Sequence, residues 1–265
     1  MLGEKYVNHE IFTELKKFTE FYSSISDMLS GSITHGTATS FNIDMYVYKS
    51  MEGTLDSIRD VLLKGRINDS YLLLRKYYDS AIINIYSNLF LEDNFSVEKF
   101  VVQEIAGWVK GEETIPSFEV MSKYIINSWR VKEITNILYN KAEFKGSIYD
   151  KIRQRCNEHT HFSNYFTLLL NDGDLHLDER YTALECLAVD IRNLFLLHIS
   201  YLLYFREDYM RSSDYIDYLD AGIKPEEGSQ QWVAPFIQEI FDEFIKPQRP
   251  EIASTIKAKT RMDLH

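Results

Sequence analysis

Between Ser147 and Asn171 the chain reads SIYDKIRQRCNEHTHFSNYFTLLLN, and on a helix Arg153, Asn157, His161 and Tyr165 would recur every four residues along one face. Arginine offers a fixed fork of donors to a phosphate, histidine exchanges a proton near neutral pH, and an asparagine between them donates or accepts. These are the parts of metal-free phosphodiester cleavage in RNA. The 2'-hydroxyl attacks the adjacent phosphate, a histidine moves the proton, and an arginine neutralises the charge that gathers on the phosphoryl oxygens. The local charge fits, since Lys141, Lys145, Lys151, Arg153 and Arg155 stand against Glu143 and Asp150. The plainer reading puts both arginines on a solvated face and hydrogen-bonds Asn157 and His161 inside a helical core.

Other sets compete for the role. Arg192, Asn193 and His198 form a second arginine, asparagine and histidine group, but Leu194 to Leu197 surround it with apolar neighbours, where a satisfied core histidine is the commoner outcome. His159 and His161, with Asp172, Asp174 and His176 beyond them, have metal-ligand side chains. Residues two apart on one helix diverge by about 200°, so both histidines cannot face one ion without a break, and no metal is expected. Cys156 is expected to pack with Ile148 and Ile152. The sequence has no glycine-rich phosphate loop, dinucleotide fingerprint or serine elbow, and no cofactor is expected.

The elements that must carry these residues read as helices. Proline is missing from residues 1–115 and again from 117–224, as long uninterrupted helices require. Ile11, Leu15, Phe18, Phe21, Tyr22, Ile25 and Leu29 step by three and four along a first helix that Gly31 ends. GSITHGTATSFN reads as a loop with His35 at its tip, and a second helix is expected over about 43–64. Asn68 or Asp69 is expected to cap a third, on which Arg75 and Asp79 form an ordinary surface ion pair one turn apart. A short helix over 96–110 follows, then one over 118–139 with Val120 and Trp129 among its inward residues.

Ser147 and Asp150 make a capping-box start for the central helix, and 171–174 is a turn. The longest helix is expected over 177–209, with His198 inward. Residues 206–227 hold seven acidic against three basic side chains and lead into glycine and proline, the signature of a polar linker. After it, Trp232, Phe236, Ile240 and Phe244 recur every four residues with Ile237, Phe241 and Ile245 beside them. That stripe must be covered, either by the parent domain or by a partner.

The chain of 265 residues, 45% hydrophobic, supports a full core. A net charge of -11 argues against indiscriminate binding to DNA or a membrane surface, where a basic field supplies the affinity. Two cysteines rule out a disulfide scaffold, and neither a signal-peptide pattern nor a membrane-length apolar run is present, so a cytoplasmic protein is expected.

IRQRCNEHTH, with Ile152, Arg153, Asn157 and His161, resembles the signature of the HEPN superfamily of helical-bundle proteins. A second stretch, GRINDSYLLLRKYYDS, resembles the HEPN helix that carries a leucine-arginine pair and an acid one turn later, here Leu74, Arg75 and Asp79. The resemblance spans roughly residues 55–205. It implies an antiparallel helical bundle, often a homodimer, and frequently a metal-independent ribonuclease of phage defence or toxin-antitoxin systems. The family interval from arginine to histidine is met by Arg155 with His161 and by Arg153 with His159, which leaves the pairing open. The expectation is therefore an all-α HEPN-like bundle over 1–221 with a C-terminal helical appendage over 222–265, cleaving RNA through Arg153, Arg155, Asn157 and His161. His159, Arg192, Asn193 and His198 are the secondary candidates. The alternative is a non-catalytic interaction module that binds a protein partner through the helix from Trp232 to Ile245.

Overall fold

The computed structural model describes residues 2–31, 38–95, 102–139, 147–162 and 164–265. The fold is all-α, as the proline-free stretches predict. The short α1 (Glu4–Val7) precedes α2 (Ile11–Gly31), α3 (Ala38–Leu63) and α4 (Ile67–Asn94). α2 packs on α3 and α3 on α4, and the apolar steps of the sequence become the core: Ile11, Leu15, Phe18, Tyr22 and Ile25 from α2, and Tyr48, Met51, Leu55, Ile58 and Leu62 from α3.

Four shorter helices follow: α5 (Gln103–Lys110), α6 (Phe118–Asn127), α7 (Lys132–Tyr139) and α8 (Ile148–Thr160). Next come α9 (Tyr165–Leu169) and the long α10 (Arg180–Phe205). By length and composition α10 would suit a membrane span, yet 78% of its most apolar window is buried inside the fold, as in a core helix. The chain ends with α11 (Asp214–Asp220), α12 (Pro235–Ile240), α13 (Lys246–Gln248) and α14 (Pro250–Lys259).

The residues after the polar linker share one continuous core with α2 and α10. Phe18 stacks on Phe195 with ring centroids 3.8 Å apart, and Phe244 sets its edge against both, at 5.0 and 5.1 Å. A π-helical turn at Phe241–Ile245, between α12 and α13, keeps Phe241, Phe244 and Ile245 buried together. Each buried phenylalanine contributes roughly 1.5–3 kcal/mol. Trp232 lies ahead of α12, in extended backbone that bridges to Asp263.

Several local expectations are corrected. α3 begins at Ala38, so the polar stretch before residue 43 is partly helix, and His35 lies outside the described residues. The 118–139 stretch is two helices broken at Ser128, whose backbone is extended. The break turns Trp129 out to 76% exposure, with Arg130 over its ring at 4.8 Å, and Val120 is exposed as well. Arg66, not Asn68 or Asp69, stands at the N-cap of α4. The two expected caps are used elsewhere, Asn68 by His159 and Asp69 by Asn171. The helix expected over 177–209 spans Arg180–Phe205, followed by a short 3-10 turn over Glu207–Tyr209, and at 26 residues it is shorter than α4 at 28.

A buried arginine fixes the corner between α9 and α10. Buried Arg180 donates to the carbonyls of Gly65 (2.6 Å), Leu170 (3.3 Å), Leu175 (3.1 Å) and Asp172. Gly173 completes this corner, because a Cβ there would stand 2.2 Å from the carbonyl oxygen of Lys64.

Candidate functional site

α8 starts where the sequence says, with the Ser147 hydroxyl accepting from the Asp150 amide at 3.2 Å. Its register follows from what it buries. Tyr149, Ile152, Cys156 and His159 are inward, and α8 packs on α4. Burial pushes the Cys156 thiol up to about 12, which leaves it a poor nucleophile. With that stripe inward, Arg153 and Asn157 flank one side of α8 and Arg155 the other.

On the first flank, two stretches far apart in sequence meet. Arg153 Nη1 donates to Asp79 Oδ1 at 2.7 Å, while Arg75 Nε donates to Asp79 Oδ2 at 3.3 Å and Arg75 Nη1 to Asn157 Oδ1. Arg75 and Asp79 are therefore more than the ordinary helix-surface pair their spacing predicts. The Arg153 guanidinium also lies 3.5 Å from the Phe118 ring centroid, and Glu119 reaches it at 3.7 Å. His161 stands at the C-cap of α8, one turn beyond Asn157, and both are exposed. Its side chain has no hydrogen-bond partner among the described residues, unlike the inward histidine of the plainer reading. Lys141, Glu143 and Lys145 lie outside the described residues, so the basic cluster is seen only through Lys151, Arg153 and Arg155.

On the second flank Arg155 forks onto buried Asp190 of α10, with Nε 2.7 Å from Oδ2 and Nη2 on Oδ1. Burial pushes the Asp190 carboxyl up, and the bidentate guanidinium opposes that shift. Tyr71 adds a hydroxyl at 3.4 Å from Asp190 and stacks on His159 at 3.9 Å. His159 Nδ1 meets Asn68 Oδ1 at 2.9 Å, which makes Nδ1 the protonated nitrogen because an amide oxygen only accepts. Burial lowers this imidazole to about 4. Arg155 and His161 do not share a cleft. Arg155 belongs to the buried α8–α10 contact, and His161 to the open ridge.

The second arginine, asparagine and histidine group separates completely. Arg192 Nε lies 2.8 and 3.0 Å from the two Glu14 carboxylate oxygens and Nη2 donates to Glu10, while Asn193 donates to the Val189 carbonyl at 2.7 Å. His198 is fully buried, its Nδ1 2.6 Å from the Tyr22 hydroxyl and its Nε2 2.9 Å from Asn84 Oδ1. Asn84 in turn donates to buried Asp44 at 2.6 Å, which also accepts from Asn88 (2.7 Å) and Tyr209 (2.6 Å). Burial lowers His198 to about 3. This is the satisfied core histidine its apolar neighbours predict. Among the described residues no three metal-ligating side chains cluster, and His176 pairs with exposed Asp178.

Asp190, Tyr71 and Asn68 were not among the site residues expected from the sequence. Asp190 left a signal: it is the lone acid in LAVDIRNLFLL, and a carboxylate on such a helix needs a cation or several donors. The ridge itself is open surface. A groove of about 730 Å³ between α3, α4 and α5, lined by Ile43, Val47, Ile83 and Trp108, lies elsewhere. Comparison with protein-family models, curated proteins and solved structures finds no match to this chain.

Proposed function

We propose that the chain is a metal-independent endoribonuclease of HEPN-like architecture, working at the ridge formed by α4 and α8. One observation carries the reading: Arg75, Asp79, Arg153 and Asn157, from the two stretches that resemble the HEPN motifs, join in one hydrogen-bonded network one turn from exposed His161. Two guanidinium groups share the Asp79 carboxylate, and although Glu119 beside Arg153 balances the remaining charge, the pair keeps spare N–H donors for a phosphate. An open ridge suits a polymer better than an enclosed small molecule.

In this mechanism His161 takes the proton of the 2'-hydroxyl as its oxygen bonds to phosphorus. The P–O5' bond breaks, the 5'-oxygen takes a proton from water, and a 2',3'-cyclic phosphate is left. Arg75 and Arg153 neutralise the phosphoryl oxygens, and Asn157 holds Arg75 in place. Arg155, engaged by Asp190, positions α8 and is removed from the phosphate-binding set. The resemblance also carries the setting: an effector of defence or stress, acting as a homodimer that brings two ridges together.

The test is cleavage of a labelled mixed-sequence RNA in excess chelator by the parent, His161→Ala and Arg153→Ala. Cyclic-phosphate ends from the parent and none from His161→Ala support the site. Equal cleavage by parent and His161→Ala removes it. The second reading, a non-catalytic interaction module, is favoured by the carboxylates already held by Arg153 and Arg155. Absence of cleavage by the parent supports that reading. Its expected surface is reduced, because Ile237, Phe241, Phe244 and Ile245 are buried in the core.

A further inference from the structure

The corner between α8 and α9 has two features that folding does not explain. Phe162 follows His161 with φ +48°, in the left-handed region that a bulky side chain adopts only under strain, yet its ring is 52% exposed. Tyr165, at the start of α9, is 76% exposed, and Phe166 beside it is exposed too. The start of α9 is capped. Asn164 caps α9 by accepting from the Thr167 amide at 2.9 Å, and the Thr167 hydroxyl donates back to the Asn164 carbonyl at 2.7 Å. Glycine at residue 162 would relieve the strain, and polar residues would remove the exposed apolar area. An aromatic residue there gains nothing from the core.

From this placement we infer that Phe162 and Tyr165 are a stacking platform for unpaired bases of an RNA strand whose phosphate lies on Arg75 and Arg153. The inference rests on the ribonuclease reading of the same ridge. Charge favours a nucleic acid over an acidic peptide or a neutral ligand only together with the rings: the guanidinium groups take the phosphate, and aromatic faces take bases of any sequence. A base paired in a duplex has no free face, so the platform selects single-stranded segments.

The experiment uses a fluorescein-labelled 2'-O-methyl oligouridine, which lacks the attacking hydroxyl, beside a strand of equal length with abasic positions and a duplex. Binding is measured by anisotropy for the full chain, Phe162→Gly, Tyr165→Ala and Arg153→Ala. The parent is expected to prefer the strand with bases over the abasic strand. Each aromatic variant should lose about 5- to 100-fold in affinity for the former, with little change for the latter. Phe162→Gly is expected to melt no lower than the parent, so its loss of binding cannot be unfolding.

If binding depends on Arg153 but not on Phe162 or Tyr165, the platform is overturned and the ridge reading stands. If the parent binds none of the three nucleic acids, both are overturned. Self-association of the parent that the aromatic substitutions abolish, with oligonucleotide affinity unchanged, would assign the rings to a second copy and overturn the platform.

Discussion

Arg153 reaches Asp79 across 74 residues of sequence, its Nη1 2.7 Å from Oδ1. The same carboxylate serves Arg75, so removing it leaves two guanidinium groups side by side. Asp79→Asn is expected to lower stability by about 1–2 kcal/mol at low salt. Sulfate should restore more of that loss than chloride at equal ionic strength, by taking the vacant place. Thermal melting in the two salts checks this, and an equal response would show that the pair does not hold an oxyanion.

The two arginine groups should separate in function. Arg153→Ala is expected to lower RNA cleavage by roughly 100-fold or more, as loss of a transition-state cation does. Arg192→Ala, which breaks the contacts to Glu14 and Glu10, should leave the cleavage rate unchanged and cost about 1 kcal/mol of stability. Initial rates and urea midpoints for both variants decide it, and equal rate losses would remove the ridge from the mechanism.

His198 lies at the centre of a directed chain of hydrogen bonds. Asn84 turns its amide nitrogen to Asp44 and its oxygen to His198, so Nε2 carries the proton and Nδ1 accepts from Tyr22. His198→Leu strands both neighbours in the core and is expected to destabilise the protein by about 3 kcal/mol or more. Urea unfolding measures this, and a change under 1 kcal/mol would mean the network is not a unit.

His159 supplies a pH dependence of defined sign. Its imidazole titrates at about 4 when folded, below its ordinary value of 6.5, so the unfolded chain binds more protons between those values. The contribution is complete above about pH 6.5 and is lost as pH falls through 4. A His159→Asn variant should show a flatter stability curve over that range. An identical slope would place the titration elsewhere, with His198 the next group to examine.

Periodicity made the core legible. The steps from Ile11 to Leu29 and from Tyr48 to Leu62 name buried residues because a helix face is a local property of sequence. The Ser147 cap was legible for the same reason. Trp129 was not, since the break at Ser128 and the 3-10 turn that follows send this side chain outward while Val131, Ile134 and Leu138 keep their inward places, and serine inside an amphipathic pattern is a weak stop signal. The partners of the arginines were the least legible. Whether Arg155 meets solvent or Asp190 depends on how α10 docks on α8, and helix spacing contains no such information. The same docking sends Asn157 and His161 outward, where spacing alone allowed them either direction.

The aromatic contact of Phe244 with Phe18 and Phe195 also imposes an order on synthesis. α2 and α10 leave the ribosome well before residues 236–245, so the stacked pair waits with one face uncovered until the last helices arrive. Until then that face lacks the cover Phe244 gives it, and exposed apolar surface of this kind is what makes incompletely folded chains prone to aggregate. Slow codons between α10 and α12 would lengthen that exposure, and the yield of soluble protein would record it.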